Sequence, residues 1–561
     1  MDTRQEIETL LVKALKDLGI KDASSFIIER PKNSRNGDWS TNIAMALFQS
    51  ETRNHPPVGG LETKNPNELA VKITELLNKN KSSIFEKIEV AGSGFINFYL
   101  SKKYLQDQIG EIIKKDHKFG SLEIGKNKKA SVEYVSANPT GPLHIGNARG
   151  GPIGDVLANV LEKAGYKVER EYLQNDAGWQ IISLGKTIYN TVKEDDGKEE
   201  EIYYKGEYVK KLALKVCQKV DINKLSKEEF VKKAGEEAVE IMLLEILETT
   251  KAMGINYDSI RKESGLKKDV PQIINRLQKQ GIVKEKDGAL WFAPHLRQGS
   301  GGQANDEFLK DRETVVRKSN GEYTYFASDI VYHSEKFNKG NDLVIDIWGS
   351  DHSGHIPRMQ AAIKSLDFDP SKFKVILYQF VRIKRGNELL KMSKRAGNFI
   401  TAKEVLDEVG KDAFRFFMLM HKAETHMDFD LELAKKKASD NPVFYVQYAY
   451  SRICSIFAKA GTSDFSKANY CLLNSDEEVA LTRYLIIFPE LVEEVSRDFS
   501  VHLLTSYAIE LASLFHRFYE KQVVILEDKE LTNARLALLK ATQIVLKNTL
   551  DLLGINPSER M

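Results

Sequence analysis

Cysteine is scarce: Cys217, Cys454 and Cys471 are the three in 561 residues, far apart and none in a C-x-x-C pair. That argues against a disulfide framework and against a cysteine-rich zinc site, and it fits a reducing compartment. Long apolar runs are also missing. Nothing approaches the roughly 20 residues needed to span a bilayer. The opening MDTRQEIETLLVKALKDL carries acids early and lacks an apolar centre, so it reads as an amphipathic helix rather than a signal peptide. These absences point to a soluble, cytoplasmic protein with no membrane partner. An excess of one charge is missing too. The formal net charge is +2, which argues neither for nor against nucleic acid, because a basic face can hide inside a balanced total. No internal repeat and no low-complexity tail is visible.

What is present is material for several cores. The chain is 42% hydrophobic and 29% charged, and its length predicts roughly three or four domains. Residues 1–115 read as a separate α/β unit. Helical spacing of Ile7, Leu10, Leu11, Ala14, Leu15 and Leu18 opens it, and FINFYL (95–100) is a strand. ASVEYVS (130–136) reads as a strand, then come a loop and a helix with apolar Ile153, Val156, Leu157, Val160 and Leu161. Gly165 stops that helix and KVEREYL follows as a strand. Strand, helix, strand in this compass predicts a parallel sheet. Residues 116–385 are expected to form this Rossmann-type domain, with a charged, mostly helical insertion at about 185–285. Further strands are read at EYTYFA (322–327), LVIDIW (343–348) and KVILYQFV (374–381). Residues 386–440 read as a loop and connecting helices, and 441–561 as an all-α domain.

The loop SANPTGPLHIGNARG (136–150) concentrates turn chemistry where strand meets helix. Helical N–H groups without internal partners, together with the helix dipole, favour an anion there. Pro139 and Pro142 stiffen the loop, and Gly141 and Gly146 permit close approach of the backbone. His144 and Asn147 add hydrogen-bonding groups. Such a loop suits a nucleotide at the carboxyl edge of a parallel sheet. Much later comes KMSKRAGNFIT (391–401), whose Lys391 and Lys394 are point charges able to follow charge growing on a pyrophosphate leaving group.

Together, ANPTGPLHIGN and KMSK, in this order, resemble the two signature loops of class I aminoacyl-tRNA synthetases. Asn147 stands where the family usually has histidine, and Arg395 where serine is common. The resemblance implies catalytic roles for His144, Asn147, Lys391 and Lys394. It also implies ATP binding by Pro142, His144, Gly146, Asn147, Met392, Ser393 and Lys394, with ATP carrying Mg²⁺ as a substrate.

Within that class, the spacings E-x-x-x-x-N before H-I-G and Y-x-x-x-D in the second half resemble arginyl-tRNA synthetases. The resemblance implies that Glu133, Tyr325 and Asp329 hold the arginine side chain, with Asn138 and His144 near its α-amino and carboxylate groups. The chemistry is apt. A guanidinium is always charged, planar and carries five donors, so paired acids and a phenol suit it, and lysine could not satisfy them in the same geometry. Taken singly, Glu133 could equally be an edge-strand acid facing solvent, and Asp329 a helix N-cap before IVYHSEKF.

NGDWSTNIAM, GSGFINFYL and WGSDHSGH, with the helical NPVFYVQYAYSRI and the closing PSERM, extend the same resemblance over nearly the whole chain. It implies a tRNA-elbow contact by the N-terminal domain, with Asn97 a candidate. It also implies an anticodon-binding C-terminal domain in which Tyr448 and Arg452 share a helix face at i, i+4. Stacking of a base on Tyr448 fits how single strands are read, although core packing is equally open to that residue. The expected activity is arginine–tRNA ligation by a monomer, with arginine, ATP and tRNA(Arg) as partners. A class I synthetase for another amino acid and a nucleotidylyltransferase of related fold are the alternatives. No protein-bound metal is expected: His352 and His355 in DHSGH lack a third ligand cluster. RQGSGGQAN (297–305) lacks the Lys-Ser/Thr of a phosphate loop and reads as a surface loop.

Overall fold

A computed structural model describes residues 3–20, 26–31, 33–54, 65–193, 203–294, 313–386, 388–390, 400–461 and 465–561. Three features singled out above lie outside the described residues. They are residues 194–201 of the acidic patch, the glycine-rich loop 297–305, and Lys391, Met392, Ser393 and Lys394. The chain divides into two compact units. One comprises residues 1–116, 457–486 and 514–544; the other comprises 117–456, 487–513 and 545–561.

In the first unit the helix Thr3–Asp17 buries Ile7, Leu10, Leu11, Ala14 and Leu15, the stripe its spacing demands. Asn65 caps the helix Pro66–Asn80 by accepting from Glu68 N, with proline in the first turn, where its missing N–H costs nothing. Both helices contribute to one core with a four-stranded antiparallel sheet, ordered Ile28–Glu29, Trp39–Thr41, Phe95–Leu100, Phe85–Ala91.

The second unit is built on a five-stranded sheet, parallel throughout. Its order is Phe373–Tyr378, Leu343–Gly349, Lys129–Glu133, Lys167–Gln174, Ser259–Lys262. Lys129–Glu133 pairs with the following strand on one side and with a much later strand on the other. The order therefore reverses at its carboxyl end, the place where such sheets bind ligands. Helix Gly150–Lys163 follows the loop and buries Ile153, Val156, Leu157, Val160 and Leu161. Gly165, at φ +97°, ends that turn, and a Cβ there would lie 2.8 Å from Leu122 O.

Two strand expectations are corrected. Residues 322–327 are not a strand: Tyr325–Asn338 is a helix, and the nearby strand is Thr314–Arg317, in a separate antiparallel sheet. The aromatic, β-branched make-up of EYTYFA imitates a strand, but burial of Phe326, Ala327, Ile330, Val331 and Ser334 follows a helical face. Residues 374–381 are not one strand either. Phe373–Tyr378 ends in the main sheet, and Val381–Arg385 begins a different one, beside Met427–Asp430.

The described residues of the segment 185–285 are mostly helical, and they also supply Ser259–Lys262, the edge strand of the main sheet. Helices Trp179–Lys193 and Lys227–Ala252 meet through two glycines. A Cβ on Gly185 would lie 1.9 Å from Val231 O, and one on Gly235 2.3 Å from Ile181 O. Gly185→Ala is therefore expected to force the helices apart, with an overpacking cost of about 1–3 kcal/mol. A lowered urea midpoint would register it; an unchanged midpoint would show that the backbones separate freely. The C-terminal region is helical, as expected, with Pro442–Ala460, Asp476–Leu485, Phe488–Asp498, His502–Lys521 and Lys529–Leu553. Among the described residues no helix is long and apolar enough to cross a membrane.

Candidate active site

At the carboxyl end of Lys129–Glu133 the backbone turns through two residues with positive φ, Val135 at +70° and Ser136 at +37°. A β-branched residue there is strained by about 1–3 kcal/mol, and such strain clusters at functional sites. The neighbouring strand holds the turn in place: Leu173 N donates to Ser136 Oγ (3.0 Å) and Tyr172 OH to Ala137 O (2.8 Å). His144 then caps the short helix Ile145–Ala148, its Nδ1 accepting from Gly146 N at 2.9 Å. A neutral His144 consequently carries its proton on Nε2. A Cβ on Gly146 would lie 3.0 Å from that Nδ1, so the turn has little room for a side chain.

The loop is tied to the chain just beyond the KMSK segment. Ile145 N donates to Ile400 O (3.2 Å) and Ala402 N to Leu143 O (2.8 Å), with His144 opposite Thr401. Residues 400–402, which directly follow 391–399, thus form a short antiparallel contact with the HIGN turn. Arg149, fully buried, anchors the other side. It donates to the carbonyls of Gln379, Ala423, Thr425, His421 and Lys422. Burial pulls its guanidinium down to about 10.

A cavity of about 1430 Å³ opens at this edge of the sheet, lined among others by Glu133, Asn138, Asn147, Tyr325 and Asp329. Single-ligand pockets run to roughly 300–1,000 Å³, so two substrates fit side by side. His144, Pro142 and Gly146 are outside its lining. Tyr325 and Asp329 stand one helical turn apart on Tyr325–Asn338, on one face. Tyr325 is 64% exposed, so its ring is available to a ligand rather than spent on the core. Asn138 Oδ1 accepts from Asn175 Nδ2 at 2.5 Å.

Glu133 is placed differently from an acid reaching openly into the cavity. Parallel pairing puts Glu171, Glu133 and Asp346 opposite one another on three adjacent strands, three carboxylates in a row. Like charges so aligned repel, and Lys336, from the same helix as Asp329, answers them. Its Nζ lies 2.7 Å from Glu133, 2.8 Å from Asp346 and 3.7 Å from Glu171. His333 joins in: Nε2 is 2.8 Å from Asp346 Oδ2 and Nδ1 2.8 Å from Asp329 O. Both partners accept only, so His333 donates from both nitrogens and is cationic. Burial alone would lower its pKa, but Asp346 outweighs that and raises it. Burial pushes Glu133 up despite Lys336. Asp346 is buried as deeply yet is held down at about 2, because it has both Lys336 and His333.

Of the cavity residues, Glu263 escaped the sequence reading, and His355 entered it only as a rejected metal ligand. Glu263, half-buried, is pushed up to about 6 by burial and by the charge of Asp329. The signal for it, an acid beside the edge strand Ser259–Lys262, depends on knowing that this strand joins the sheet. His355 contacts Asp329 directly, Nε2 to Oδ2 at 3.1 Å.

The residues expected to meet tRNA lie elsewhere. Asn97 is 3% exposed, and its Oδ1 accepts from Ser40 Oγ at 2.8 Å, so contact with RNA at that side chain requires repacking. Tyr448 is half-buried, stacked on Phe444, with the Arg452 guanidinium 5.2 Å from its ring centre and hydrogen-bonded to its hydroxyl.

A reversing parallel sheet with a nucleotide-suited turn at its switch point, matched over residues 108–448 by "tRNA synthetases class I (R), catalytic domain", is that of a class I aminoacyl-tRNA synthetase. Residues 5–100 match "Arginyl tRNA synthetase N terminal domain" and 446–561 "DALR anticodon binding domain". The chain is 39% identical over 546 residues to an arginine–tRNA ligase of Syntrophotalea carbinolica, covering 95% of this chain and 94% of that one. It is 40% identical over 556 residues to one of Carboxydothermus hydrogenoformans, covering 97% and 96%. An arginyl-tRNA synthetase structure from Campylobacter jejuni is similar with a TM-score of 0.73 and 34% identity, covering 82% of this chain and all of that one. The chain belongs to the arginyl-tRNA synthetase family.

Proposed function

We infer that this chain ligates arginine to tRNA, the activity its relatives are named for. The observation that carries the residue assignment is Tyr325 and Asp329, one turn apart on a helix, facing the cavity that Asn138 and Asn147 also line. Asp329 takes the guanidinium by a charge-assisted pair, with Tyr325 beside it one turn earlier on the same helix face and Glu263 as the second acid. Glu133, held by Lys336, acts through the local field and through the position of its strand end. Asn138 and His144 meet the α-amino and carboxylate groups.

ATP, with Mg²⁺ as part of the substrate, lies on the 142–147 turn, and Lys391, Met392, Ser393 and Lys394 supply the remaining ATP contacts, with the two lysines answering the charge that grows on pyrophosphate. The arginine carboxylate attacks the α-phosphorus, the bond from that phosphorus to the α,β-bridging oxygen breaks, and pyrophosphate leaves with that oxygen, giving arginyl-adenylate. No protein nucleophile is required; the chain's part is positioning and stabilising charge. A terminal ribose hydroxyl of tRNA then attacks the arginyl carbonyl and AMP departs. Tyr448 and Arg452 contribute to anticodon contact and Asn97 to the elbow face, and the chain acts as a cytoplasmic monomer.

The test is ATP–pyrophosphate exchange across the twenty amino acids, with and without tRNA. Arginine alone should support it; equal exchange with another amino acid would overturn the assignment. Lys394→Ala should lower the exchange rate by about 10²–10³-fold with the fold intact, as loss of a transition-state charge partner does. Retention of full rate would remove that lysine from the site.

A further inference from the structure

We propose that His355 is a positioning residue for arginine selection: it holds Asp329 by one carboxylate oxygen so that the remaining acceptor capacity meets the guanidinium. This rests on the reading of Asp329 as the guanidinium partner. The pair DHSGH was weighed above as a metal motif, and the structure gives its second histidine a different task.

The chemistry is unambiguous in direction. Nε2 of His355 lies 3.1 Å from Asp329 Oδ2. An ionised carboxylate only accepts, so the proton belongs to His355 Nε2. One such bond uses one of about four lone-pair directions on the carboxylate, leaving the others for a ligand. The ring cannot swing to follow a different partner. Its centroid is 5.5 Å from Trp348, 5.5 Å from Phe326 and 6.0 Å from Tyr325, and the side chain is only 13% exposed. The backbone of Asp329 is fixed independently, because its carbonyl accepts from His333 Nδ1, and His333 is held in turn by Asp346. Both ends of Asp329 are therefore tethered before any substrate arrives.

That matters because Glu263 shares the cavity, and its carboxyl is raised partly by Asp329. Two acids facing one space repel, and an untethered Asp329 would turn from its neighbour or spread over rotamers. Ordering it beforehand removes that cost from arginine binding. His355 need not touch the substrate to do this.

The experiment compares His355→Phe, which keeps a packed ring but loses the donor, with His355→Gln, whose amide nitrogen can reach the Nε2 position. Steady-state aminoacylation reads KM for arginine, KM for ATP and kcat separately, with Asp329→Asn alongside. His355→Phe should raise the arginine KM by roughly 10- to 50-fold, the scale of a lost bond to a charged group. The KM for ATP should stay within about twofold and His355→Gln should recover most of the loss. A purely structural role would lower kcat and disturb both substrates alike, without distinguishing Phe from Gln; that pattern overturns the inference. An unchanged arginine KM in His355→Phe beside a raised one in Asp329→Asn overturns it too, and leaves the pocket reading standing. An unchanged arginine KM in Asp329→Asn defeats the pocket reading and the inference with it. If His355→Phe does not accumulate folded, His355→Asn, whose shorter amide falls short of Asp329, takes its place against His355→Gln.

Discussion

Replacing Asp329 by asparagine is expected to raise the KM for arginine by roughly 30- to 1,000-fold, about 2–4 kcal/mol, the range for truncating one partner of a desolvated charge pair. The KM for ATP should change little. Asparagine keeps the size and shape of the side chain, so neither the helix Tyr325–Asn338 nor the packing of Tyr325 is disturbed. What changes is charge and acceptor count. One oxygen becomes an NH₂ that points donors at a ligand made of donors, and the full charge that drew the guanidinium is gone. The amide can still satisfy His355, if its oxygen faces Nε2, and then the NH₂ faces the substrate. The variant is thus trapped between two bad orientations. Equilibrium arginine binding together with aminoacylation kinetics checks this. An arginine KM within threefold of the parent would mean that Glu263 or another group carries the guanidinium.

How far the site could be read from the sequence depends on how local its determinants are. The turn at residues 136–150 announces itself because proline, glycine and a capping histidine act on their immediate neighbours. The stripe from Ile153 to Leu161 is legible for the same reason. Tyr325 and Asp329 were legible as a pair, but on the wrong element. Their i, i+4 spacing is what makes them a pair, and it has that meaning only on a helix. The row Glu171–Glu133–Asp346 was not legible at all. Each acid sits in a different strand, and only the register of three parallel strands brings them opposite. Lys336 then looks like one more exposed lysine in a helix, when it is 1% exposed. The left-handed turn at Val135 and Ser136 was hidden too, because neither residue type advertises positive φ.

Lys336→Met is the change expected to cost the fold most. Methionine matches the stem of lysine in length and fills its space, so the packing loss is small. The electrostatic loss is not. Three buried carboxylates, Glu133, Glu171 and Asp346, lose the cation they share, and breaking a buried pair from one side costs about 3–5 kcal/mol. Lys339 still reaches Glu171 at 2.8 Å and His333 still reaches Asp346, so Glu133 is the group left most exposed to the loss. The pH dependence gives the test its sign. In the parent, Asp346 is held down at about 2, so its contribution is present above its unfolded value near 4 and fades only as pH falls toward 2. His333 is raised, so its contribution is full below about 6.5 and fades as pH rises through the folded value. In Lys336→Met, Glu133 loses the partner that opposed the upward push of burial. It will bind a proton more readily, and protonation removes the uncompensated charge. The destabilisation should therefore be greatest near pH 8 and shrink as pH falls toward 5, measured as the difference in denaturant midpoint between variant and parent. Glu133→Gln added to Lys336→Met should recover part of the loss and flatten that pH dependence, since it supplies the neutral form directly. A difference that is constant with pH, or a double variant no better than the single, would show that the three acids are not held as one electrostatic group by Lys336.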